Sequence, residues 1–213
     1  MKLYYGADKL IKNPVRGLGN PSNDYGLGFY LTPEKEAARL WASRYEQGKI
    51  ITYDVNLSSL KVLYLADSGE EDILRWITIL VKHRFDKMEK ARYKDTIDWL
   101  ISKFDINIED YDMVVGYRAD DSYFAYSLGF VSGEISIETL ASAMKLGKLG
   151  LQYVLISDKA FSSIKFVSAE DTLQNDDYDV FRQKTLDEYH LLLNQEDVFN
   201  NTFIREIMKK YGR

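Results

Sequence analysis

The sequence has no cysteine and only two histidines among its 213 residues. Without cysteine, disulfide bridges, thiolate metal ligands and cysteine nucleophiles are excluded. The two histidines, His83 and His190, each lie in a segment predicted to be helical, where a single histidine is usually a surface or boundary residue. We therefore expect neither a serine–histidine pair nor a multi-histidine metal centre, and we predict no metal site.

The sequence also lacks a hydrophobic run long enough to span a bilayer. The apolar stretch ILRWITILV is short and is interrupted by Arg75, and the N-terminus MKLYYGADKL has no continuous apolar region. We therefore expect a soluble protein with no membrane partner, and the absence of cysteine fits a reducing cytoplasm. The formal net charge of −5 argues against non-specific binding to nucleic acid or to membrane surfaces.

Hydrophobic residues make up 46% of the chain and charged residues 29%, which is typical of one globular unit. Alternating or apolar segments predict strands at KLYYGA, GFYLT, ITYDVNL, KVLYL, YDMVVGYRA, LQYVLIS and IKFVSA. These strands flank and outnumber the central helices without the regular strand–helix alternation of a parallel sheet. The pattern predicts the α+β class.

Helices are predicted in four places. The first begins at Thr32 as N-cap and runs to about Gly48, and a later one begins at Ser136 and runs to about Leu146, closed by Gly147. Residues 69–104 form a helical insertion with two helices. Residues 1–170 then make up one domain, and residues 171–213 are a polar helical tail packed on it.

The stretch NDYGLGFYLT is the first candidate site. Gly26 and Gly28 remove side chains where a planar ligand could approach the backbone, and Tyr30 offers a ring face for stacking. The alternative is a bulged edge strand with core aromatics.

The stretch GYRADDSYFAY is the second candidate site. Asp120 and Asp121 are adjacent carboxylates that repel each other, so one could act as a base or as the partner of a cation. The alternative is an aspartate-rich turn that caps the next segment. Gln152, at the start of the LQYVLIS strand, is the third candidate, although a glutamine there is most often an edge hydrogen bonder.

Taken in order, these segments resemble the ADP-ribosyltransferase superfamily, and within it a bacterial family of ADP-ribosyltransferase-like domains of unknown function. In the diphtheria-toxin and poly-ADP-ribose polymerase branch, a first strand carries His-Gly, a second carries Gly-x-Tyr and a late strand carries a catalytic glutamate. Here LYYGA resembles the first motif with Tyr5 in the histidine position, GLGFYLT resembles the second with Tyr30, and LQYVLIS resembles the third with Gln152 in the glutamate position. The resemblance extends over about residues 3–167.

The resemblance implies a split pair of antiparallel sheets in a β-sandwich that grips NAD, the substrate, in a cleft, with helices on the outside. It assigns NAD binding to five residues: Tyr5, Gly6, Gly28, Tyr30 and Thr32. Gly6 would bind the nicotinamide amide through its backbone, Tyr30 would stack on the ring, and Tyr5 would contact a ribose hydroxyl. Gln152 would hold the 2'-hydroxyl, and Asp120 or Asp121 would supply the missing carboxylate.

Three functions follow from these observations. The first is an NAD-dependent mono-ADP-ribosyltransferase acting on a protein or nucleic-acid target, as a toxin component controlled by a small partner encoded next to it. The second is a degenerate transferase that binds NAD without turnover. The third is a protein-interaction module that docks through apolar residues of the tail, which are Phe181, Leu186, Leu191, Leu192 and Leu193.

Overall fold

The computed structural model describes residues 1–66, 69–119, 121–146 and 150–212. The strands are β1 (Lys2–Ala7), β2 (Phe29–Leu31), β3 (Gln47–Val55), β4 (Val62–Leu65), β5 (Met113–Tyr117), β6 (Leu151–Leu155) and β7 (Ile164–Leu173). The helices are α1 (Lys35–Ala42), α2 (Glu70–His83), α3 (Lys87–Arg92), α4 (Lys94–Phe104), α5 (Asp121–Ser132), α6 (Ile137–Ala143), α7 (Asp158–Ser162), α8 (Asp177–Leu193) and α9 (Ile204–Lys210). The predicted α+β class is confirmed.

The strands form two sheets that are joined by one backbone bridge. β1, β3 and β7 form an antiparallel sheet in the order β1-β3-β7, and the second sheet has the order β2-β6-β5-β4. A bridge between Tyr4 of β1 and Thr32, just after β2, joins the sheets through backbone hydrogen bonds of 2.7 and 2.9 Å. Beyond this bridge β1 and β2 are no longer paired.

One pair of neighbouring strands is parallel, whereas the resemblance implied antiparallel sheets. β4 and β5 pair in parallel, with Val62 opposite Met113 and Leu65 opposite Gly116. Parallel neighbours need a long crossover connection, and here that connection contains α2, α3 and α4. The helical segment therefore sets the mixed character of the second sheet.

Apolar side chains fill both the space between the sheets and the outer face of the second sheet. Leu3, Ile51 and Tyr53 from the first sheet meet Leu31 and Leu155 from the second, and all of these are buried. On the opposite face, α2 and its neighbouring helices cover the second sheet with a larger apolar cluster. The alternation of strand side chains produces these two separate apolar layers.

The first helix is shorter than predicted. It spans Lys35–Ala42, and its N-cap is Glu34 rather than the predicted Thr32, whose hydroxyl accepts a hydrogen bond from the Glu34 N–H at 3.1 Å. The predicted end near Gly48 is wrong, because Gly48 already belongs to β3. A Cβ atom at Gly48 would lie 2.1 Å from the carbonyl oxygen of Ala42, so the chain folds back immediately where α1 ends.

The remaining helices follow the prediction in part. Residues 70–104 hold three helices where two were predicted, and α3 starts with a capping box between Asp86 and Glu89. Ser136 is the N-cap of α6, as predicted, and its hydroxyl accepts from the Thr139 N–H at 3.1 Å. That helix ends at Ala143 rather than near Leu146, and the predicted closing residue, Gly147, lies outside the described residues.

The tail contains two helices, and both contribute to the core. Tyr189 of α8 and Ile204, Ile207 and Met208 of α9 are buried in the large apolar cluster that covers the second sheet. Across the described ranges of the chain, no helix combines the length and the apolar character needed to cross a membrane.

Candidate functional site

A cleft of about 460 Å³ opens where the two sheets separate. β1, the segment from Gly28 to Thr32, α1 and the loop of residues 9–24 supply most of its walls. The lining includes six of the eight predicted site residues, namely Tyr5, Gly6, Gly28, Tyr30, Thr32 and Gln152. The structure therefore brings the three strand motifs together at one place.

The other two predicted site residues are the adjacent aspartates. Asp120 lies outside the described residues, and the side chain of Asp121 does too. The backbone of Asp121 begins α5, a helix that the sequence analysis did not predict. The role assigned to this pair stays a prediction.

Gly6 lies where β1 leaves its bridge to the second sheet. The Tyr4–Thr32 bridge shows that the N–H and C=O groups of Tyr4 point away from β3. Because these groups alternate in direction along a strand, those of Gly6 point to the same side and towards the cleft. A Cβ atom at Gly6 would lie 2.2 Å from the carbonyl oxygen of Ala38 in α1. Packing on α1 therefore requires glycine here, and the same backbone presents a donor and an acceptor to the cleft.

Tyr30 holds the loop that precedes β2. Its hydroxyl donates to the carbonyl oxygen of Gly26 at 2.7 Å and accepts from the N–H of Tyr25 at 3.0 Å. Burial, assisted by the nearby Asp24 carboxylate, raises the pKa of Tyr30 well above its usual value, so the phenol remains protonated at neutral pH. The ring lines the cleft while the hydroxyl fixes the loop.

Gln152 is a buried residue with an unsatisfied acceptor. It lies on β6 opposite Gly116 of β5, and it is only 9% exposed. Its Oε1 atom accepts no hydrogen bond from any part of the chain that the structure describes. A buried polar atom without a partner costs about 1–3 kcal/mol, and such atoms are rare in native proteins. A water molecule or a ligand in the cleft could supply the donor that this atom lacks.

Tyr5 and Thr32 line the cleft and also have structural contacts. The Tyr5 ring packs against Phe29 with a centroid distance of 4.6 Å, in the apolar layer between the sheets. Burial is the main cause of a raised pKa of Tyr5. The Thr32 hydroxyl is engaged with the N–H of Glu34 at the start of α1. Both residues therefore have a structural role in the cleft walls.

The two glycines of the NDYGLGFYLT stretch have separate explanations. Gly26 has φ of +68°, and a Cβ atom there would lie 2.7 Å from the ring of His83. Gly28 lines the cleft, but a Cβ atom there would lie 2.4 Å from Cγ1 of Val154. Turn geometry and strand packing account for both glycines, so their spacing does not in itself require a ligand. The assignment of Gly28 to NAD binding stays a prediction.

Asp24 is a cleft residue that the sequence analysis missed. It is only 4% exposed, and its Oδ1 atom accepts from Nη1 of Arg84 at 2.9 Å while its Oδ2 atom accepts from the N–H of Ala119 at 2.9 Å. This buried ion pair connects the loop, the end of α2 and the turn after β5. In the sequence, Asp24 stands in an ordinary turn pattern, and no local signal marks its long-range contacts.

The described lining of the cleft carries an excess of positive charge. It contains the cations Lys9, Arg84 and Arg118 and a single carboxylate, Asp24. The Arg118 guanidinium lies 4.6 Å from the ring centroid of Trp41, which also lines the cleft. Arg118 belongs to the GYRADDSYFAY stretch, in which only the two aspartates were predicted to act.

A family model described as "Protein of unknown function (DUF3990)" matches the chain over residues 1–166. This range includes every residue that lines the cleft and ends near the start of β7. The match does not connect the chain with ADP-ribosyltransferases. No curated protein and no solved structure matches the chain. Because the family model covers more than half of the sequence, the chain belongs to the DUF3990 family, whose function is unknown.

Proposed function

We propose that the cleft binds NAD and that the protein transfers ADP-ribose from NAD to a protein or nucleic-acid target. The observation that carries this proposal is the unsatisfied Oε1 atom of Gln152, which is buried in a cleft that the backbone of Gly6 also lines. A ribose hydroxyl can donate to the Gln152 oxygen, and a carboxamide can bind both backbone groups of Gly6. The nicotinamide riboside half of NAD contains both of these groups.

The charge of the cleft supports an anionic ligand. The chain as a whole has a formal net charge of −5, whereas the described lining carries three cations and one carboxylate. A cleft lined mainly by one sign of charge attracts ligands of the opposite sign. The diphosphate of NAD has the required negative charge.

In the proposed reaction, the bond between ribose C1 and the nicotinamide nitrogen breaks, and its electron pair leaves with nicotinamide. A nucleophile on the target then bonds to C1 and loses its proton to solvent. Positive charge develops on the ribose, and Gln152 can hold the 2'-hydroxyl but supplies no negative charge. Asp24 is a cleft carboxylate, but Arg84 already neutralises it at 2.9 Å. Asp120 and Asp121 remain the proposed source of a catalytic carboxylate.

A second candidate function is NAD binding without turnover. The neutral side chain of Gln152 and the pairing of Asp24 with Arg84 both favour it, because neither leaves a free carboxylate to stabilise the transition state. A preorganised electrostatic contact of this kind is worth about 10²–10³ in rate. The toxin role and the small partner encoded nearby belong to the first candidate.

Substitution of Gln152 tests the proposal and separates ligand binding from stability. In Gln152→Leu the unsatisfied oxygen is gone, so the unfolding free energy without NAD should stay equal or rise by about 1 kcal/mol. The same variant should bind NAD at least about tenfold more weakly, because one ligand hydrogen bond is lost. Urea unfolding and calorimetric titration with NAD measure the two effects. Gln183→Leu, which makes the same change on the exposed side of α8, is the matched control and should leave NAD affinity unaltered.

The reaction itself is tested by free nicotinamide release, with cell lysate and nucleic acid added in parallel. When Asp120 and Asp121 are both replaced by Asn, nicotinamide release should fall by about 10²–10³ if transfer takes place in this cleft, and adding Gln152→Glu restores a carboxylate and should recover the release. Saturable NAD binding with no release by the wild type or by Gln152→Glu identifies the second candidate. If neither protein binds NAD, both candidates are wrong.

A further inference from the structure

Arg118 is a cleft cation whose described contacts leave its charge uncompensated. It follows β5 directly and is half-buried, its guanidinium lies 4.6 Å from the ring centroid of Trp41, and it makes no hydrogen bond or ion pair with the described residues. No carboxylate among the described residues pairs with it. Arg84, in contrast, is held by Asp24. A half-buried guanidinium without an anionic partner retains five donors for a ligand.

The fold holds the backbone at Arg118 in a fixed position. The next residue, Ala119, is fully buried, and its N–H donates to the buried carboxylate of Asp24 at 2.9 Å. Two residues before Arg118, Gly116 pairs with Gln152 across β5 and β6. β5 ends at Tyr117, so Arg118 lies one residue beyond the strand that pairs with the Gln152 strand. Arg118 and Gln152 both line the cleft.

A second arginine provides an internal comparison. The guanidinium of Arg44 lies 4.5 Å from the same Trp41 ring and 4.6 Å from the ring of Tyr178. Arg44 is exposed and does not line the cleft, whereas Arg118 does. The two side chains thus share a packing contact but differ in their access to a ligand.

We propose that Arg118 binds a phosphate group of the ligand and makes the cleft selective for a nucleotide with a diphosphate over the corresponding nucleoside. This inference rests on the proposed function, because it takes NAD to be that nucleotide. Arginine suits the role because its planar fork of donors matches phosphate oxygens, and a charge-assisted bond of this type is stronger than a neutral one.

The experiment compares NAD with nicotinamide riboside, which has the same nicotinamide and ribose but no phosphate. Arg118→Ala should bind NAD about 10- to 100-fold more weakly, the loss typical of a hydrogen bond to a charged group, while its affinity for nicotinamide riboside changes less than about twofold. Arg44→Ala is the control for Trp41 packing and should leave both affinities unchanged. Arg118→Gln keeps most of the aliphatic stem and replaces Arg118→Ala if that variant does not fold.

Three results would overturn the inference: unchanged NAD affinity in Arg118→Ala, an equal loss for NAD and nicotinamide riboside, or an equal loss in Arg118→Ala and Arg44→Ala. A parallel titration with ADP separates this inference from the proposed function. Binding of ADP but not NAD by the wild type, with ADP binding lost in Arg118→Ala, would reject NAD as ligand and retain the phosphate contact. A wild type that binds neither compound rejects both.

Discussion

At the residue scale, Tyr30 combines two functions that substitution can separate. Its ring lines the cleft, while its hydroxyl satisfies the Gly26 carbonyl and the Tyr25 N–H. Replacement by alanine would remove both functions at once. Loss of NAD binding in Tyr30→Ala would therefore not distinguish a stacking contact from a collapsed loop.

Tyr30→Phe keeps the ring and removes only the hydroxyl. The unfolding free energy should fall by about 1–2 kcal/mol, because two buried backbone groups lose their partner. If the ring is the ligand contact, NAD affinity should stay within about threefold, which is less than the change expected from the loss of one hydrogen bond. Urea unfolding and calorimetric titration measure the two quantities. Tyr64→Phe, on the exposed part of β4, is the control, with a stability change below about 0.5 kcal/mol. A large loss of NAD affinity in Tyr30→Phe would assign the ligand contact to the hydroxyl or to the loop that it holds.

At the scale of structural elements, the cleft depends on one ion pair between segments that are distant in sequence. Asp24 in the loop contacts Arg84 after α2 and Ala119 after β5, and the carboxylate side chain is only 6% exposed. Removal of one member of a buried, hydrogen-bonded ion pair typically costs about 3–5 kcal/mol. Asp24→Ala should lower the unfolding free energy by that amount in urea unfolding.

An exposed ion pair in the same protein is the matched comparison for Asp24→Ala. Lys94 and Asp98 face solvent one turn apart on α4, so Asp98→Ala should cost less than about 1 kcal/mol. Equal small losses for Asp24→Ala and Asp98→Ala would show that the buried pair does not hold the three segments together.

The sequence predicted individual strands and helix starts better than it predicted the contacts between them. Alternation identified the strand at Ile51, Tyr53 and Val55, and Ser136 marked the start of a helix, because side-chain spacing and capping depend on adjacent residues. The end of α1 was misplaced because Gly48 packs on Ala42 and belongs to the following strand. The contacts of Asp24 and the unpaired acceptor of Gln152 arise only when segments that are distant in sequence meet in the fold. The sequence motifs therefore identified six residues of the cleft lining but neither its ion pair nor its charge.

At the scale of the whole molecule, the family match and the packed core have different extents. The match ends at residue 166, just inside β7, yet α8 and α9 lie beyond it and enter the large apolar cluster. Three of the tail residues first considered as a docking face, Phe181, Leu192 and Leu193, pack partly buried on that cluster, whereas Leu191 is 61% exposed. Core packing thus accounts for most of the apolar character of the tail.

Deletion of residues 174–213 tests this role of the tail. The deletion removes Tyr189, Ile204, Ile207 and Met208, all buried, and each such side chain contributes about 1.5–3 kcal/mol when fully buried. The summed loss of about 6–12 kcal/mol is comparable to the whole stability of a typical domain, which is about 5–15 kcal/mol. The shortened chain should therefore show no cooperative thermal unfolding by circular dichroism. Full-length Phe199→Ser, at a residue 93% exposed, should unfold like the wild type. A shortened chain that unfolds cooperatively at the wild-type temperature would instead make the tail a separate unit, available to dock a partner.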